Sequence, residues 1–217
     1  NVTAPIYPDA LAKALEAYAK AYEVDVKKTK VKDINLGIET ITNNYLDDAM
    51  SSYMFEDYAK ASELFGKAAE ASVTEPYSKV DTTALYNAGF TAWMMKDYPR
   101  AEEYFNKCVE AGYYYEGGEV FAKLADIYNN TERKDAARDI LENGFAKFPQ
   151  SQSILIGLIN YYLESKQSPD RLFELIGEAK KNEPTNASLY YVEGNIYNEL
   201  GQKDKAVESY YKCHEIN

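Results

Sequence analysis

Histidine is almost absent from this chain: His214 is the single one in 217 residues. One imidazole beside Glu215 makes neither a metal cage nor a nucleophile–base pair, so zinc and triad chemistries lack their donors. Cysteine is scarce too, and neither Cys108 nor Cys213 has a Cys or His at ligand spacing. No glycine-rich phosphate loop occurs; Gly117-Gly118 follows three tyrosines, not a buried strand. Glu102 and Glu103 are consecutive in a helical pattern and diverge to different faces, which makes them poor acid–base partners. These absences point away from an enzyme, with no cofactor and no metal site. Long apolar runs are missing as well: none approaches the ~18–20 residues of a membrane span, and the mean hydropathy is −0.52. Positive charge is in deficit, 24 Lys+Arg against 35 Asp+Glu, giving a net charge of −11. Such a surface repels phosphate backbones, which argues against nucleic acid, and it favours solubility. The chain opens at Asn1 with neither a charged n-region nor an apolar h-region, so a removed targeting segment and a longer parent chain are expected.

Tyrosine, by contrast, is abundant: 21 Tyr stand against 8 Phe and 1 Trp. Tyr packs like Phe but keeps a polar tip, which suits thin layers where one end of each ring meets water. A second pattern is a small–large–small triplet at +4 and +3 spacing. It recurs as Ala14/Tyr18/Ala21, Ala61/Phe65/Ala68, Ala101/Phe105/Cys108, Ala137/Leu141/Gly144, Leu172/Ile176/Ala179 and Ala206/Tyr210/Cys213. That spacing places each triplet on one helical face. The first members lie 47, 40, 36, 35 and 34 residues apart, so the period tightens toward the C-terminus. One hairpin of this size cannot bury both of its apolar faces, so copies must stack. Cys108 and Cys213 share one repeat position, three repeats apart. At ~8–10 Å per stacked helix they are far beyond the ~7 Å Cα reach of a disulfide, and read as small buried thiols.

At this point the chain resembles the tetratricopeptide repeat (TPR) family, a 34-residue helix–turn–helix repeat. The family's small residue in the first helix is matched by Ala49, Gly89, Ala125 and Gly194, with Asn160 as a departure. Its aromatic three residues later is matched by Tyr128 and Tyr197, with Leu163 substituting and Ser52 and Ala92 departing; the closing proline is matched by Pro149 and Pro184. The resemblance implies an all-α, right-handed α-solenoid forming a single domain over 1–217. Its parts are a partial first repeat at 1–26, a divergent repeat at 27–81, and clearer repeats at 82–115, 118–151, 153–186 and 187–217. The divergent repeat begins with the basic run Lys27–Lys32, a solvated loop or helix start. It carries 47 − 34 = 13 surplus residues, which predict a long first helix or a short extra one. Residues 73–81 read as a loop, with Asp81 or Thr82 as the next helix cap.

The same resemblance implies a concave face lined by the first helices, used to bind partners. Carried over position by position, it picks Leu46, Met50, Tyr53 and Met54, then Tyr86, Phe90, Trp93 and Met94. It continues with Glu119, Asp126, Asn129 and Asn130, then Tyr161 and Glu164, and finally Tyr191, Asn195, Asn198 and Glu199. Tyr86, Phe90 and Trp93 form one stripe at i, i+4, i+7, which either packs on a neighbouring repeat or anchors a partner. One family subtype clamps C-terminal carboxylates with a Lys/Asn/Lys/Arg set; Tyr86, Phe90 and Glu119 stand at the matching positions, so that subtype is rejected. The expected partner is a peptide or protein segment carrying basic and apolar residues. The alternatives are self-association through uncapped repeat ends, and a cell-envelope assembly or glycan-associated role suggested by frequent Tyr and Asn. The latter tilts the expected compartment toward the periplasm or envelope.

Overall fold

The computed structural model describes residues 9–216; the start of the partial repeat 1–26 and Asn217 lie outside them. Among the described residues every regular element is helical. The helices group into two units, one ending at Tyr113 and one starting at Tyr114.

The first unit holds α1 (Ala10–Val24), α2 (Val31–Met54), α3 (Tyr58–Ser72), α4 (Thr82–Met94) and α5 (Tyr98–Glu110), each packed on the next. The surplus residues lengthen α2 to 24 residues instead of building a separate helix. Its added first turns receive α1, because the Tyr18 ring fills the space a side chain on Gly37 would need. The second unit opens with a short 3₁₀ turn, Glu116–Gly118. It continues with α6 (Glu119–Asn130), α7 (Lys134–Lys147), α8 (Gln152–Ser165), α9 (Pro169–Asn182), α10 (Ala187–Glu199) and α11 (Lys203–Ile216), again packed in sequence.

One turn design joins first to second helix in four repeats. Glu56, Lys96, Glu132 and Gly201 take a left-handed backbone, with φ of 61°, 61°, 59° and 73°. The N–H of the next residue then reaches back five residues: Asp57 to Ser52, Asp97 to Ala92, Arg133 to Tyr128 and Gln202 to Tyr197, at 2.8–3.0 Å. This is a Schellman closure, which satisfies carbonyls a helix end leaves open. Where the reaching residue is aspartate it also caps the second helix: Asp57 accepts from the Lys60 N–H at 3.2 Å and Asp97 from Arg100 at 3.4 Å. Asp81 caps α4 in the same way, accepting from the Ala84 N–H at 2.8 Å. A cap contributes about 1 kcal/mol, whereas fully burying one Phe or Leu contributes roughly 1.5–3 kcal/mol. The core between helices, more than the turns, therefore holds each hairpin.

That core follows a fixed spacing of 16 residues within a repeat: Ala49 with Phe65, Gly89 with Phe105, Ala125 with Leu141, Gly194 with Tyr210. The four small residues are buried. At Gly89 a Cβ would lie 3.1 Å from the Phe105 ring, and Phe105 is fully buried. Polar links reinforce the stack. Ser62 donates to the Ala88 carbonyl at 3.0 Å, and Arg171 on α9 grips both carboxylate oxygens of Glu142 on α7, at 3.2 and 2.6 Å.

Candidate functional site

The second unit contains an opening of about 350 Å³ between α6, α7 and α8. Gly157 stands at the repeat position held by Tyr86 in α4 and Tyr191 in α10, three residues before the small-residue position, and the Leu141 side chain packs where a Cβ would stand. Around the opening stand Asn129 from the end of α6, Lys134 and Leu141 from α7, and Asn160, Tyr161 and Glu164 from α8. Tyr161 is pinned from α7: its hydroxyl donates to Asp135 Oδ1 at 2.9 Å and accepts from Arg138 Nη1 at 3.2 Å. The bond to Asp135 pushes the Tyr161 phenol above its ordinary range, so it stays a neutral donor. The Arg138 guanidinium, bonded to Asp139 at 2.7 Å, is held more firmly charged and lies 5.6 Å from the Tyr161 ring. Lys134 and Glu164 pair across the mouth at 3.0 Å, both mostly exposed. Among the described residues, no hydrogen bond engages the side-chain amides of Asn129 and Asn160, and both residues are exposed.

Of the positions the sequence singled out, this opening gathers Asn129, Tyr161 and Glu164. Asn130 turns back on its own helix, donating to the Asp126 carbonyl at 2.8 Å and to the Asp126 carboxylate at 3.2 Å. On α10, Tyr191 is 55% exposed with its ring 6.0 Å from Tyr210; Asn195 accepts the Tyr210 hydroxyl at 2.8 Å, and Asn198 is exposed. In the first unit, Met50 is exposed and Tyr53 meets Tyr58 edge-on at 5.6 Å. Tyr86 is only 6% exposed, wedged between Phe90, Phe105 and Tyr113 at 6.0, 5.8 and 6.4 Å, and so belongs to the core of its unit. Phe90 stacks on Trp93 at 5.9 Å, both half-buried. Lys134 and Asn160 were not singled out. Asn160 reads in sequence only as a failed match to a small residue.

Among the described residues, no group of three or more His, Cys, Asp or Glu converges as a metal site. No described helix is long and apolar enough to cross a membrane.

Comparison with known proteins agrees with the helical-repeat fold. A tetratricopeptide repeat profile matches residues 82–111 and 187–217. No curated protein matches the chain in sequence. Among solved structures, MamA superimposes with a TM-score of 0.65 at 21% identity, covering 81% of this chain and 91% of that one. YrrB, described as a TPR protein with an unusual peptide-binding site, gives 0.61 at 20% identity over 94% of each chain. A further MamA structure gives 0.62 at 16% identity, over 82% of this chain and 92% of its own. At such identities the likeness is one of fold. Residues 82–111 and 187–217 are thus tetratricopeptide repeats, and the chain around them folds as solved tetratricopeptide-repeat proteins do.

Proposed function

We propose that this protein is a non-enzymatic interaction scaffold that holds a peptide or protein segment against its first helices, with the α6–α8 opening as an anchor. The observation that carries this reading is the pair of unengaged amides, Asn129 and Asn160, beside a tyrosine already pinned in place. A primary amide offers one acceptor and two donors, which match the N–H and C=O of an extended peptide. Pinning Tyr161 beforehand removes part of the ordering cost of binding. A net charge of −11 favours a segment with basic residues, and the exposed Tyr191 supplies apolar contact on a first helix of the same unit.

The test is selection from a random displayed-peptide library on the intact chain, followed by affinity measurement on Asn129→Ala/Asn160→Ala. Two to three lost hydrogen bonds at about 0.5–1.5 kcal/mol each predict binding weaker by about fivefold or more. Both residues are exposed, so the melting midpoint should not move. Selected peptides that bind the variant as tightly as the parent would count against the site.

A further inference from the structure

A second opening, of about 380 Å³, lies in the first unit between α3, α4 and α5. None of the first-helix positions discussed above lines it. Its origin is visible in the repeat alignment. Eight residues after the first member of successive triplets stand Tyr22, Ala69, Val109, Phe145, Lys180 and His214, so the smallest side chain of the six is at Ala69. Gly66, three residues earlier, lets the Tyr104 hydroxyl take the space a Cβ would need. The short side chain at Ala69 leaves a hole against Leu85 and Tyr104, with Val73 and Val80 beside it, 49% and 55% exposed.

The second unit shows what the hole lacks. There the corresponding position is filled by Phe145, whose ring centroid lies 5.0 Å from the Arg171 guanidinium. In the first unit a cation is present without that ring: Lys107 lines the hole, 5.0 Å from the Tyr104 centroid. The rim is acidic. Glu70 and Glu110 line the mouth without an ion pair among the described residues, while Glu103 holds Lys107 at 2.7 Å.

We propose that this hole is a second docking site, which accepts one aromatic side chain from a partner segment whose flanking residues are Lys or Arg. The ring takes the place that Phe145 occupies in its own repeat, under the Lys107 ammonium as a cation–π pair. The flanking cations meet Glu70 and Glu110. An opening of this size, apolar within and charged only at its rim, has the make-up of a pocket for a single anchor group.

Three pentapeptides titrated into the ¹⁵N-labelled chain test this: Phe between paired lysines, Ala between paired lysines, and Phe between paired glutamates. The first should give saturable amide shifts centred on Gly66, Val73 and Leu85. The alanine peptide should give none there, and the glutamate peptide should bind at least tenfold more weakly. Ala69→Phe plugs the hole as Phe145 plugs its counterpart, and should abolish the response. Glu70→Gln/Glu110→Gln leaves the hole open and should weaken binding by roughly three- to tenfold at low salt. Shifts that map to the α6–α8 opening instead, an equal response to the alanine peptide, or unchanged affinity in Ala69→Phe would each overturn the proposal. If Ala69→Phe does not fold, the two-carboxylate variant decides, and unchanged affinity there overturns it.

Discussion

Replacing Gly194 by alanine should destabilise the last hairpin, although alanine is the better helix former. In a helix interior the exchange gains about 1 kcal/mol from propensity. Against that stands the Tyr210 ring. A Cβ at position 194 would lie 2.5 Å from Tyr210 Cε1 and 2.6 Å from Cδ1, where carbon atoms rest at about 3.5–4.0 Å. The ring must retreat by about 1 Å. It cannot do so without disturbing the bond from its hydroxyl to Asn195 Oδ1, 2.8 Å long and worth about 0.5–1.5 kcal/mol. Overpacking adds about 1–3 kcal/mol, so the net loss is about 1–3 kcal/mol. Stacked repeats open locally, so the suitable measurement is hydrogen-exchange protection of the α10 and α11 amides. A second substitution sharpens it. Repeat four places Ala125 opposite Leu141 at the same 16-residue spacing, so Tyr210→Leu should make room for the alanine. In a double-mutant cycle Gly194→Ala should cost at least 1 kcal/mol less in the Tyr210→Leu background. A gain in protection from Gly194→Ala alone, or a cycle that closes additively, would refute the close approach.

Phe105 is fully buried, so Phe105→Ala should cost about 3–5 kcal/mol, read as a lowered urea midpoint of the first unit. Lys96 holds φ at 61° on an exposed turn; Lys96→Gly should raise the stability of that unit by about 0.5–1 kcal/mol, read as a higher urea midpoint, because glycine carries no left-handed penalty there. Burial pushes the Cys108 thiol up from 9.0 to about 12. The folded state thus favours the protonated form, and its contribution is fully present below pH 9 and lost as pH rises toward 12. The loss should approach 1.4 kcal/mol per pH unit in that window, and Cys108→Ala should flatten that part of the stability-versus-pH curve by the same amount. Equal alkaline slopes in the two proteins would contradict the burial of this thiol.

Much of the architecture could be read before any coordinates. The triplets Ala101/Phe105/Cys108 and Ala206/Tyr210/Cys213 locate α5 and α11 because helical period is encoded locally, in residue type and spacing; the first triplet is fully buried, whereas Tyr210 and Cys213 are half-buried. Asp81 as a cap and residues 73–81 as a loop came from equally local chemistry. The surplus in the divergent repeat could be counted but not shaped. Whether it lengthened α2 or formed another helix depended on Tyr18 finding Gly37, a contact between helices.

The surface residues were a different matter. Tyr86, Phe90 and Trp93 share a helical stripe in sequence, but only packing decides that Tyr86 is consumed by Phe105 and Tyr113. Asn160 reads in sequence as a defect in the pattern, and only the packing of α6, α7 and α8 leaves an opening beside it. Sequence periodicity alone indicated a stack of helical hairpins with a small–large–small face on each second helix, because that information lies within one or two helical turns. Which side chains remain open to a partner was set only by tertiary structure, because an opening is the volume that neighbouring helices fail to fill.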